Sequence, residues 1–272
     1  MSNEETLDNM PREDMEYSVA SQLAYQYYDN DNDANQIQTA LDTYLDGYTF
    51  DPEYSTNNAS TFIRPDGTTI IAYRGTRPTN FDDLNTDASI LAGQHHTDTP
   101  HPRFVEAQNH YDFVKSKYDF VDLTGHSLGG TLAGYVGRQT GEHTVVFNAG
   151  ETPFSLNVIP SDNSDITMYR TNTFDIVSFS NSMYSHANTI RVVPQTDGND
   201  TWLGSHNLTN FLPSQDMLPL SDAPDIIIPS QIPIQTQKQE FKQEERVIRN
   251  ICLEQPYLFE CKTRPKLKKK QK

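Results

Sequence analysis

Residues 121–130, VDLTGHSLGG, restrict the fold of this chain more than any other stretch. Residues 120–124 are apolar enough for a short strand and 131–136 suit a helix, so the backbone must turn sharply between them. Gly125 and Gly129 flank that turn, where a side chain would crowd the strand and helix that meet there. Ser127 lies within that turn and is the candidate nucleophile. A plain glycine-rich helix start would need neither the strand before it nor the Leu128 and Gly130 that complete GHSLGG.

The rest of the chain supplies the elements around this turn. Apolar positions Met15, Val19 and Leu23, with Tyr17, Ala20, Ala24 and Tyr28 beside them, predict a helix over about residues 12–28. Residues 29–33, DNDND, read as a loop, and Ala34, Ile37, Leu41, Tyr44 and Leu45 predict a second helix ending before Gly47. Residues 61–64 and 68–74 read as two strands joined by the tight turn Pro65-Asp66-Gly67. Residues 77–101 are polar and aperiodic, which suggests a loop or flap. Phe104, Ala107, Tyr111, Val114 and Tyr118 then predict a helix leading into the strand before Ser127. Residues 145–147, 166–171 and 189–193 are further strands. Alternating strands and helices predict a mostly parallel central sheet with helices on both faces.

Past residue 212 the character changes. Residues 213–237 are rich in Pro and Gln and read as an extended linker; residues 238–272 combine a charged helix at about 238–252 with a basic tail. We therefore expect a folded domain over 1–212 with an irregular C-terminal extension. Residues 262–272 carry seven basic side chains and no acid, so the overall −16 leaves −23 on the remainder. That charge argues against general nucleic-acid binding, because a phosphate backbone would be repelled. The basic tail suits an acidic partner or an anionic membrane; a disordered, solubilising end is the alternative. No leader or run of some twenty apolar residues is visible, and Cys252 and Cys261 leave the central region without a disulfide. The expectation is an intracellular, cytoplasmic protein with no membrane span.

Arg74-Gly75-Thr76 and GHSLGG occur in the order and separation of one family's motifs. The turn fits G-x-S-x-G, the nucleophile elbow of α/β-hydrolases. With RGT upstream, Ala20-Ser21-Gln22-Leu23-Ala24-Tyr25 near the start and the segment Asp83-Leu84-Asn85-Thr86-Asp87, the chain resembles the class 3 lipases from about Ser18 to Phe211. The resemblance implies an α/β-hydrolase fold and hydrolysis of lipid or small esters, as lipase, phospholipase A1 or esterase. It requires no metal or organic cofactor. His95-His96 has no Cys or Glu at a spacing that would complete a metal site.

A serine is a weak nucleophile until a histidine accepts its proton and a carboxylate orients the imidazole. In this fold the order is serine, acid, histidine. Asp175 in NTFDIVSF matches the family's acid, ahead of Asp162 and Asp165, which precede a strand rather than follow one. His206 in GSHNLTNFL matches the late histidine, with His186 in MYSHANT as the alternative base. His126 is expected to point away from the serine and to pack or support it. His95, His96, His101, His110 and His143 fall outside the required order and are expected to be solvent-facing or satisfied. By resemblance, the backbone N–H groups of Thr76 and Leu128 hold the oxyanion, with the Thr76 hydroxyl in reach.

Residues 77–88 occupy the place of the family's lid, yet Phe81 and Leu84 are their only large apolar groups. Opening such a flap exposes little area for an oil surface to reward, so weak interfacial activation is expected. The rival to an enzyme is a catalytically silent α/β-hydrolase scaffold that binds or builds.

Overall fold

The computed structural model describes residues 3–29, 32–76, 102–150, 165–171, 187–195 and 206–213. Eight strands form one sheet: β1 (Asn3–Thr6), β2 (Thr49–Phe50), β3 (Ala59–Ile63), β4 (Thr69–Tyr73), β5 (Val121–His126), β6 (His143–Phe147), β7 (Asp165–Thr171) and β8 (Thr189–Val193). Their spatial order is β1-β8-β7-β6-β5-β4-β3-β2. Strands β4 to β8 run parallel to one another and β1 runs parallel to β8, whereas β2, β3 and β4 are joined antiparallel.

Four helices cover the sheet among the described residues: α1 (Arg12–Asp29), α2 (Ala34–Tyr44), α3 (Pro102–Lys115) and α4 (Leu128–Thr140). Because side chains alternate along a strand, β4 sends Ile71 and Tyr73 to one face and Ile70 and Ala72 to the other. The first pair packs with α3 and α4 through Phe104, Val114, Leu132 and Val136. The second packs with α1 and α2 through Val19, Leu23, Ile37 and Leu41. A parallel sheet must be covered on both faces, and here it is. This mostly parallel sheet, helix-covered on both sides and carrying a strand–serine–helix turn at the end of β5, is an α/β-hydrolase fold.

Two strands were not foreseen. β1 is NEET, with no apolar residue, and is an edge strand held by its register on β8 and by ion pairs: Glu4 with Arg170 at 3.0 Å and Glu5 with Arg191 at 3.6 Å. β2 is only two residues long. The strand before the serine is also shifted. Phe120, expected inside it, is 73% exposed, and pairing continues through Gly125 with Tyr73 and His126 with Phe147. Lower in the sheet, Arg64 lies between Glu16 and Asp122, and the Tyr17 hydroxyl donates to Asp122 at 2.7 Å, fastening α1 to β3 and β5. No described helix is long and apolar enough to cross a membrane.

Candidate active site

β5 delivers Ser127 to the C-terminal edge of the sheet, and α4 begins at the next residue. Ser127 has φ 58° and ψ −126°, a conformation rare for a side chain with a Cβ and costing about 1–3 kcal/mol. The surroundings enforce it. The Ser127 N–H donates to the Phe147 carbonyl at 3.0 Å, and its own carbonyl accepts from the Thr131 N–H at 3.0 Å. Closeness of the first turn of α4 to β4 and β5 accounts for the glycines. A Cβ on Gly125 would lie 2.3 Å from the Gly129 carbonyl carbon, and one on Gly129 would lie 2.0 Å from the Tyr73 oxygen.

His206 Nε2 stands 2.8 Å from Ser127 Oγ, so of the two histidines considered for the base, the described geometry brings this one to the serine. It is carried just ahead of a 3-10 turn, Leu208–Phe211, whose Leu208 and Phe211 are buried in the α1 face of the core. Phe211 packs on Phe147 with ring centroids 5.3 Å apart, and the Asn207 side chain caps the turn at the Thr209 N–H, 3.1 Å away. The apolar residues after the histidine are therefore the anchor that sets its height above the sheet. His186 and Asp175 lie outside the described residues, as does Asp162. Asp165 opens β7 and pairs with His143 at 2.7 Å, both at the end of the sheet opposite Ser127.

The turn after β4 runs past the serine. Arg74 is 2% exposed; its Nε donates to the Asn57 carbonyl at 2.8 Å and its Nη1 to the Gly75 carbonyl at 3.1 Å, with the guanidinium 4.3 Å over the Tyr28 ring. Arg103 Nη2 donates to the Arg74 carbonyl at 3.0 Å. Two buried arginines thus hold successive carbonyls of the segment that aims Thr76. The Thr76 hydroxyl is buried and has no hydrogen-bond partner among the described residues. The Leu128 N–H opens α4, where the first amides of a helix have no acceptor inside it. The bracing by Arg74 and Arg103 escaped the sequence reading. The RGT motif drew attention to its threonine, and Arg103 lies far away in a different element.

His126, expected to pack or support the serine, makes two polar contacts: Nε2 lies 2.7 Å from the His206 carbonyl oxygen and Nδ1 lies 3.1 Å from the Tyr25 hydroxyl. His110 departs from its expected solvent-facing or satisfied role. It is buried beside a cavity of about 340 Å³ lined by α3, β4 and the turn before β3, and its Nε2 has no hydrogen-bond partner among the described residues.

Desolvation pushes the His110 pKa down to about 4. The unfolded chain takes up this proton near pH 6.5 and the folded one only near 4, so stability falls as pH drops between those values. The loss amounts to about 3 kcal/mol at about 1.4 kcal/mol per pKa unit. We predict that His110→Leu removes this part of the acid destabilisation, seen as a flatter dependence of unfolding free energy on pH from 7 to 4; an unchanged slope would refute it.

Among the described residues no three His, Cys, Asp or Glu side chains stand close enough to hold a metal ion. No family model and no curated protein matches the chain. Solved structures are similar at low level, two of them as follows. An esterase from Pyrobaculum calidifontis aligns over 89% of this chain and 96% of its own at 11% identity and a TM-score of 0.39. A sugar hydrolase from Lactococcus lactis aligns over 75% and 100% at 14% identity and a TM-score of 0.33. At these scores the fold assignment rests on the sheet order and the elbow rather than on the neighbours.

Proposed function

We propose that this chain is a serine hydrolase of the class 3 lipase type that cleaves carboxylic esters of lipids through an acyl-enzyme. The observation that carries the reading is the 2.8 Å approach of His206 Nε2 to Ser127 Oγ at a strained strand–helix turn. The serine hydroxyl donates to the bare imidazole nitrogen, loses its proton to it on attacking the ester carbonyl, and the imidazolium returns that proton to the departing alkoxide. Water then repeats the sequence on the acyl-enzyme. Asp175, which follows β7, has the role of holding His206 Nδ1–H. The developing oxyanion is received by the N–H groups of Leu128 and Thr76 and by the Thr76 hydroxyl, for which the lack of a partner among the described residues is the supporting observation. Residues 1–212 form the catalytic domain in this reading, 213–237 the linker, and 262–272 a tether to an acidic surface.

Labelling with a fluorophosphonate probe tests the reading. Native protein is expected to label stoichiometrically and Ser127→Ala not at all, with an ester panel of graded acyl length then ranking substrates. Absence of labelling in folded native protein overturns the proposal and favours the silent scaffold.

A further inference from the structure

We infer that Tyr25 and His126 form a positioning relay that fixes the backbone of the catalytic histidine, an inference that rests on the serine-hydrolase reading above. The carbonyl oxygen of His206 can only accept a hydrogen bond, so His126 Nε2, 2.7 Å from it, carries the proton. In the neutral ring Nδ1 is then bare, and it accepts from the Tyr25 hydroxyl at 3.1 Å. Tyr25 lies on α1, and its hydroxyl, which also lies 3.4 Å from the His126 carbonyl oxygen, supports on the Nδ1 side the tautomer that the His206 carbonyl selects.

The consequence is geometric. Ser127 and His126 are consecutive, and each meets His206, the serine at the imidazole and His126 at the main-chain carbonyl. One contact would leave His206 free to swing about it. Two contacts from adjacent residues fix both the height and the rotation of the base relative to the nucleophile. The ring centroids of His126 and His206 are 4.9 Å apart, so packing also joins them. Packing alone would be served equally by a phenyl ring; the hydrogen bond would not. Misplacing a catalytic group by about 1 Å costs on the order of 100-fold in rate.

The test compares His126→Phe, which keeps a ring but removes the donor, His126→Gln, whose amide N–H replaces it, and Tyr25→Phe, which removes the hydroxyl that supports Nδ1. Each is measured for fluorophosphonate labelling rate and for kcat and KM on a p-nitrophenyl butyrate substrate, after circular dichroism has established that it is folded. The expected result is a fall of about 10- to 100-fold in labelling rate and kcat for His126→Phe with KM little changed. Most of the loss is regained in His126→Gln, and a smaller loss appears in Tyr25→Phe. In a His206→Ala background, His126→Phe should have no further effect on the residual rate.

A folded His126→Phe that labels at the native rate overturns the inference. So does a His126→Gln as impaired as His126→Phe, or an equal loss with and without His206. Failure of the native protein to label would instead strike the serine-hydrolase reading itself, so the two failures are distinguishable.

Discussion

His206→Ala is expected to lower ester turnover by about 10⁵- to 10⁶-fold, while His186→Ala changes it by less than about threefold. In a serine–histidine pair the two side chains act as one unit, so removing the histidine costs nearly as much as removing the serine, with the oxyanion donors and substrate binding left to supply the remainder. The pair here is defined by Oγ and Nε2 at 2.8 Å. No other described residue stands in that relation to Ser127. The expected signature is a fall in kcat with little change in KM, because the imidazole makes its contribution in the transition state rather than in substrate binding. Steady-state kinetics on a short-chain ester and the labelling rate with a fluorophosphonate should fall together. If His186→Ala abolishes turnover and His206→Ala does not, the base is reassigned and the 2.8 Å contact becomes a structural one.

The fold was legible from periodicity because its central elements are strongly patterned. The TIIAY of β4 and the HTVVF of β6 are apolar on both faces, as a covered parallel strand requires, and α1 to α4 each carry a stripe that the sheet buries. β1 was not legible because its stability lies in pairing to β8 and in charges on Arg170 and Arg191, neither visible in NEET itself. Within the site, Ser127 could be read because the turn forces a local signature of glycines. The candidate base could be narrowed only to two histidines, since what brings His206 to the serine is where Leu208 and Phe211 dock, a tertiary property. The supports were the least legible. Tyr25 and Arg103 reach the site from α1 and α3, and no sequence spacing encodes a contact between residues about a hundred positions apart, as with Tyr25 and His126. His110 shows the converse: its place on the apolar face of α3 could be read from the helical period, but not the absence of a partner for its Nε2 among the described residues.

Two glycine-to-alanine substitutions in one helix are expected to act in opposite directions. At Gly129 the new Cβ would meet the Tyr73 carbonyl oxygen at 2.0 Å, the Gly75 nitrogen at 2.8 Å and the Arg74 carbonyl carbon at 2.9 Å. All three are backbone atoms, so no rotamer change relieves the contact; β4 and α4 must separate. Overpacking of this kind typically costs about 1–3 kcal/mol and more where the neighbours cannot yield. We therefore expect more than about 3 kcal/mol, a large share of the roughly 5–15 kcal/mol that holds a domain together. The strain also falls on Arg74 and Gly75, which precede the proposed oxyanion residue Thr76, so any folded fraction of Gly129→Ala should lose kcat beyond its loss of stability. At Gly134, a turn further along α4, nothing lies within 4 Å of an added Cβ, and the backbone is helical. There alanine only restricts the unfolded chain and improves helix propensity, a gain of about 0.5–1 kcal/mol. Chemical denaturation of both variants is the measurement. A Gly129→Ala protein as stable as the native one would mean that the first turn of α4 does not pack on β4 as closely as 2.0 Å implies, and the strained geometry at Ser127 would lose its cause.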